Sequence, residues 1–299
     1  MSQVFQYVTE KIIEAVERDG LLPWQKPWKC SSACAKSYAG QQYRGVNALL
    51  TVLSGRPGPW ITYNQARAQG GTVKKGEKGT MITFYKVTEY PNKKDASKTD
   101  KVPLFRYFTV FSLEQTEGVK DPSWLAKEKA QVSPEGAPLP LTPIQSAESI
   151  WGSYSDKPEV TDGGQGAWYC PATDKIGMPA RDTFKTPEGF YTTLFHEGVH
   201  STGAASRTGR TIGETKRFGS ADYSREELVA EIGAAFLCAE AGIANERTIE
   251  NSAAYVKNWL ERLKADNRLI VQAASAAQKA VDHILKDRAS PQDETEGQD

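Results

Sequence analysis

The stretch TTLFHEGVHSTG, Thr192 to Gly203, holds two of the three histidines in a chain of 299 residues. On an α-helix, residues i and i+4 lie on one face, so His196 and His200 can offer ring nitrogens to one divalent ion. Glu197 projects beside such an ion, where it can take a proton from water as a general base. The neighbouring residues predict the helix itself. Thr186 suits the N-cap, Pro187 suits the first helical position, and Phe190, Leu194 and Val199 recur at helical spacing before Gly203, a natural stop.

A catalytic zinc site usually takes three donors from the protein, and the pair supplies two. The remaining histidine, His283, sits in the amphipathic pattern AAQKAVDHILKD and reads as a surface or half-buried helix residue. A carboxylate is therefore sought, and the best source is DYSREELVAEIGAAFLCAEAG, a helical stretch from Asp222 to Gly242. Glu227 and Glu231 share one face of it. Two readings of Glu227 stand at this point: it is the third ligand, or it closes a capping box, because Ser224 to Glu227 spells S-R-E-E. The combination of H-E-x-x-H with E-L-V-A-E-I resembles the thermolysin-like gluzincin pattern. That resemblance implies Glu227 as the ligand. It also implies Glu231, where the family usually carries Asp, as the acid that hydrogen-bonds a liganding histidine. Zinc is the expected ion, with manganese or another divalent ion able to enter such a site.

With 39% hydrophobic and 25% charged residues, the composition is that of an ordinary globular chain, long enough for two domains. No apolar run approaches the roughly 20 residues needed to span a bilayer. The opening MSQVFQYVTEKIIEAVERDG mixes acidic and basic residues on an amphipathic helix and lacks the apolar core of a signal peptide, so a cytoplasmic protein is expected. Cys30 and Cys34, four apart with no histidine nearby to complete a metal site, read as free thiols.

A net charge of zero conceals an asymmetry. Residues 1–130 hold 20 Lys and Arg against 12 Asp and Glu, a net of +8, and the remainder holds 17 against 25, a net of −8. From Gly20 to Thr88 there are ten basic residues and one acid, Glu77. Such a surface is the electrostatic footprint of a polyanion partner. Aromatic residues are interleaved with these charges, and the combination of phosphate neutralisation with base stacking suits single-stranded nucleic acid read with little sequence preference. The candidate contacts are Tyr43, Arg44, Trp60, Arg67, Lys74, Lys75, Lys78 and Lys86. In QGGTVKKGEKGT the glycines permit tight turns, and the three lysines would crown loops on either side of a short strand. It is not a Walker loop, because no G-K-[ST] follows at the required spacing.

Four prolines in QVSPEGAPLPLTP predict a semi-rigid linker, AWYCPATDKIGMPARDTF predicts a hairpin leading into the histidine helix, and the stretch from Ala254 to Leu285 predicts two further amphipathic helices. YRGVNALL from Tyr43 and GGTVKKGEKGT from Gly70, followed by FHEGVHSTG and YSREELVAEIGAAFLCAEAGI in the same order, resemble the ArdC-type antirestriction proteins of conjugative plasmids over nearly the whole chain. The resemblance implies a basic domain that binds single-stranded DNA, and possible duplex binding, joined to a zincin-like metallopeptidase domain, with a role in protecting plasmid DNA from restriction. The expected fold is α+β: a small basic domain over residues 1–130, a linker over 131–143, a mainly helical gluzincin-type domain over 144–288, and a disordered acidic tail over 289–299. The competing expectation is a DNA-tethered zinc metalloprotease that cuts a protein, such as a restriction subunit.

Overall fold

The computed structural model describes residues 2–25, 36–91, 99–125, 142–210, 221–243 and 253–286, which form an α+β fold. The chain divides into two compact units, one made of Met1–Lys11 and Ser32–Pro134, the other of Ile12–Ser31 and Glu135–Asp299. A division at residue 130, as charge alone suggests, would place residues 12–31 with the basic half, whereas here they join the second unit. The reason is burial: Ile12, Leu22 and Trp24 have no exposed surface, and the Trp24 indole donates to Glu231 far along the chain. Cys30 and Cys34, nearly all of the linker and the acidic tail lie outside the described residues.

The first helix, α1 (Ser2–Asp19), buries Val4, Val8, Ile12, Ala15 and Val16 at helical spacing and ends where Gly20 adopts a positive φ. In the first unit, α2 (Val46–Leu53) precedes β1 (Trp60–Thr62), α3 (Tyr63–Ala68), β2 (Thr72–Val73), β3 (Thr80–Pro91), β4 (Thr99–Ser112) and β5 (Thr116–Glu117). Strands β1, β4 and β3 form an antiparallel sheet in that order, and β2 pairs separately with β5. Thr62 caps α3 through a reciprocal pair with Gln65. Trp60, Ile82 and Val110, one from each strand of the sheet, make the core cluster, with Tyr43 packed against it. Asn47 on α2 treats the free edge of β3 as a partner: its Nδ2 donates to the Thr83 carbonyl and its Oδ1 accepts from the Thr83 N–H, both at 2.8 Å. One side chain thus supplies the pairing that an additional strand would supply.

The second unit contains α4 (Pro143–Ser153), β6 (Glu159–Asp162), β7 (Trp168–Cys170), β8 (Lys175–Met178), α5 (Pro187–Ser201), α6 (Ala221–Ala241), α7 (Ala253–Ala265) and α8 (Leu269–Leu285). The expected hairpin is β7–β8, and β6 runs parallel to β8 on its other side. Thr186 caps α5 by accepting from the Gly189 N–H at 3.0 Å, with Pro187 next. Helix α6 is buried on every side from Leu228 to Cys238, which explains why its sequence shows no apolar stripe. Its close approach to α5 depends on Gly233, where a Cβ would lie 2.8 and 2.9 Å from the two Val199 methyl carbons.

Candidate metal centre and nucleic-acid interface

One helical turn on α5 brings His196 and His200 together, their Nε2 atoms 3.0 Å apart and their rings nearly perpendicular. Helix α6 adds Glu227, whose Oε2 lies 3.6 Å from His196 Nε2 and whose Oε1 lies 3.5 Å from His200 Nε2. Among the described residues this is a cluster of three metal-type donors whose ligand atoms all fall within 4.8 Å of one another. Donors about 2.0–2.1 Å from a tetrahedral zinc are separated by roughly 3.3 Å, so three groups this close can converge on one small divalent ion.

The local charges agree with that fit. Burial would lift the Glu227 carboxyl, but His196 and His200 hold it far below the usual range. Burial opposes a charge on His200, yet Glu226 and Glu227 outweigh it and push the group up to about 10. Two carboxylates and two imidazoles in this arrangement favour positive charge at their centre, which a cation supplies. Glu197 follows His196 directly, is 6% exposed, and lies close enough for its charge to favour protonated His200.

Helix α6 begins at Ala221, so Ser224 lies inside its first turn and not at its cap. The capping-box reading of Glu227 therefore lapses. The carboxylate that meets His200 Nδ1 is Glu226, at 3.4 Å. Glu226 is gripped in turn by Arg210, whose NH2 lies 2.9 Å from Oε1 and also donates to the Val199 carbonyl at 2.7 Å. Helical spacing points to neither residue, because Glu226 sits about 100° around α6 from the face that Glu227 and Glu231 share. Glu231, 4% exposed, accepts from Trp24 Nε1 at 2.6 Å and from the Tyr255 hydroxyl. His283 stands apart from this cluster, with Nε2 3.0 Å from Asp156.

The nucleic-acid candidates fall into three groups. Arg44, Arg67, Lys74, Lys75 and Lys78 are exposed, and Lys74 Nζ also donates to the Glu114 carbonyl at 2.8 Å. The side chain of Lys86 lies outside the described residues. Trp60 and Tyr43 need correction. Trp60 is 1% exposed at the centre of the sheet core, and Tyr43 is half-buried against it, its phenol pushed by burial up to about 12. A three-stranded sheet this small has few large side chains for its core, and these two aromatic residues serve there rather than as stacking platforms. Among the described residues of the first unit the exposed rings are Tyr63, Phe84, Tyr90, Tyr107 and Phe108, three of which lie beyond the basic tract that ends at Thr88.

Comparison with known proteins also divides the chain in two, although the first match runs through residues 12–31. A family described as the N-terminal domain of anti-restriction factor ArdC matches residues 2–111, and one described as a zincin-like metallopeptidase matches residues 148–276. The metal-free crystal structure of the antirestriction ArdC protein from plasmid R388 shares 33% identity and superposes with a TM-score of 0.72, covering 95% of this chain and 97% of that one. The chain belongs to the ArdC family of antirestriction proteins. A second R388 ArdC structure, bound to Mn(II), matches with a TM-score of 0.70 at 33% identity over 96% of this chain and 99% of that one. An uncharacterized protein of Sinorhizobium fredii, y4eC, is 31% identical over 97% of this chain and 94% of its own length. Two Escherichia coli proteins named DNA primase TraC are 33% and 32% identical, but the chain spans only 20% and 27% of their lengths. Among the described residues of the ArdC-family chain, no helix is long and apolar enough to cross a membrane.

Proposed function

We propose that this protein binds single-stranded DNA with little sequence preference through its basic first unit, protects entering plasmid DNA from host restriction, and acts in the cytoplasm. We further propose that His196, His200 and Glu227 hold zinc. The observation that carries the DNA reading is the run of exposed cations, Arg44, Arg67, Lys74, Lys75 and Lys78, in a tract whose single acid, Glu77, is already engaged by Arg56 at 3.0 Å and by Gln115 at 2.8 Å. Phosphates would meet positive charge there with little opposition.

A second reading has its own support. The three donors and Glu197 are the parts of a working peptidase, and all four are present and largely buried. A divalent ion at the donors supplies Lewis acidity. Glu197 would accept a proton from the attacking water and deliver it to the departing amine. On this reading the protein is a metallopeptidase tethered to DNA that cuts a protein partner, such as a subunit of a restriction system.

Glu197→Gln separates the two, because it is nearly isosteric and keeps the three donors while removing the base. The measurement is restriction-endonuclease cleavage of single- and double-stranded DNA with parent or variant present, together with conjugation into a restricting host. Protection by DNA binding survives the substitution in both assays. Loss of protection in the host with unchanged DNA affinity and metal content would favour the peptidase.

A further inference from the structure

We infer that unpaired bases stack on the β3–β4 hairpin, on the rings of Phe84 and Phe108 with Arg106 beside them on one face and on Tyr107 on the other. The inference rests on the proposed DNA-binding reading and names the surface and ligand chemistry that serve it.

Register places these side chains. Ile82 pairs with Phe108 and Phe84 with Arg106, while Thr83 pairs with Tyr107. Directly opposed residues of an antiparallel ladder share a face, so Ile82, Phe84, Arg106 and Phe108 lie together and Tyr107 lies on the reverse. Along the hairpin, burial falls off sharply. Val110 is 1% exposed at its root, and in the next pair on that face Ile82 is 9% exposed while Phe108 opposite it is 43% exposed; Tyr107 and Phe84, further out, are 58% and 42% exposed. The core therefore ends at Ile82, and the exposed rings beside and beyond it are not needed to build the sheet. Phe84 and Phe108 stand edge to face, their centroids 6.1 Å apart.

The concentration of these rings matters more than the exposure of any one. Among the described residues the exposed large hydrophobic side chains are Tyr63, Phe84, Tyr90, Tyr107, Phe108 and Trp168. All but Trp168 lie on this hairpin or on Tyr63, the first residue of α3, which directly follows Thr62, the partner of Val110 on β4. Apolar surface gathered on one element marks a binding site, unlike scattered single residues.

Charge identifies the occupant. Arg106 is exposed on the hairpin, and the Arg67 guanidinium, one helical turn along α3, holds the Tyr63 phenol below its usual range. Ring faces with guanidinium groups alongside match an aromatic base attached to a phosphate. A peptide adding as a strand fits less well, because Asn47 already occupies the β3 edge at Thr83. In duplex DNA the base faces are covered by their neighbours, so this surface selects single strands.

The test uses the full-length protein and fluorescence anisotropy with a mixed-sequence single-stranded oligonucleotide, the same oligonucleotide carrying abasic sites, and the duplex, each across a salt series. Phe84→Ala with Phe108→Ala, and separately Tyr107→Ala, should weaken single-strand binding on the order of 10-fold per ring without changing the salt slope. Arg106→Ala should lower that slope by about one phosphate. Phe84→Tyr with Phe108→Tyr keeps the rings and should retain affinity, which guards against a folding defect. Abasic sites should weaken binding by the parent much more than by the alanine variant. If the parent binds but the ring variants bind equally well, the bases stack elsewhere and the inference fails. It fails equally if the variants lose protection with unchanged DNA affinity, since the face then belongs to a protein partner. Failure of the parent to bind single strands at all would instead overturn the DNA-binding reading, and the inference with it.

Discussion

Replacing Gly233 with alanine should loosen the metal centre without touching any ligand. The added Cβ would lie 2.8, 2.9 and 3.4 Å from Val199 Cγ2, Cγ1 and Cβ. Carbon atoms rest at about 3.5–4.0 Å, so two contacts fall short by roughly 0.7–1 Å. Val199 cannot swing aside, because a valine on a helix has one strongly preferred rotamer. The strain must then part α5 from α6, at a cost of about 1–3 kcal/mol typical of an overpacked core. Glu227 lies on the same rigid helix as Gly233, while both histidines ride on α5 with Val199. Glu227 approaches the two imidazoles at 3.6 and 3.5 Å through its two oxygens, and parting the helices moves the carboxylate away from both, past the tolerance of about 0.2 Å expected of metal bonds. Metal affinity should fall about 10-fold or more, measured by competition against a chromophoric chelator. The melting temperature of the metal-free protein should drop by roughly 2–12 °C. Combining Gly233→Ala with Val199→Ala removes the clash and should recover part of both losses, giving a coupling energy opposite in sign to the single effects. Parent-like metal affinity and melting in Gly233→Ala would refute the claim that this contact sets the distance between ligands.

Arg210→Ala should reduce metal affinity about 10- to 100-fold, as measured by the same chelator competition, because Glu226 loses the guanidinium that aims it at His200 Nδ1. Tyr154 is fully buried, and burial pushes its phenol up to about 12 from an ordinary value near 10. The folded state thus keeps a proton that the unfolded chain releases. Its contribution is intact below pH 10 and about 2–3 kcal/mol is lost as pH rises through 12. Denaturant titrations across that range should show a shallower alkaline decline for Tyr154→Phe than for the parent.

The clustering of His196, His200 and Glu227 is the most legible part of the sequence, for a geometric reason. An i, i+4 pair on a helix allows one relative placement, and the cap at Thr186 and Pro187 announces that helix locally. Glu227 is legible because the donor count demands a carboxylate. What escapes depends on contacts between distant segments. Arg210 reaches Glu226 across residues 211–220, and no pattern within either segment signals the pair. Helix α6 carries no periodic stripe because it has no solvent face to mark. The aromatic residues mislead in a different way. A ring on a strand suits both a core and an exposed surface, and only burial separates them, with Trp60 1% and Phe108 43% exposed.

Residues 12–31 belong to the second unit although they precede most of the first in the chain, and this makes the two units a poor subject for simple scission. A fragment ending at residue 130 would carry Ile12, Leu22 and Trp24 away from the partners that bury them, and would deprive Glu231 of its indole donor. Recombination faces the same obstacle as the protein engineer: no single crossover transfers the peptidase-like unit whole. Genetic exchange should therefore move the two units together as one cassette. The TraC relatives have this character, for within much longer proteins their similarity runs through 306 and 308 residues and spans 94% of this chain.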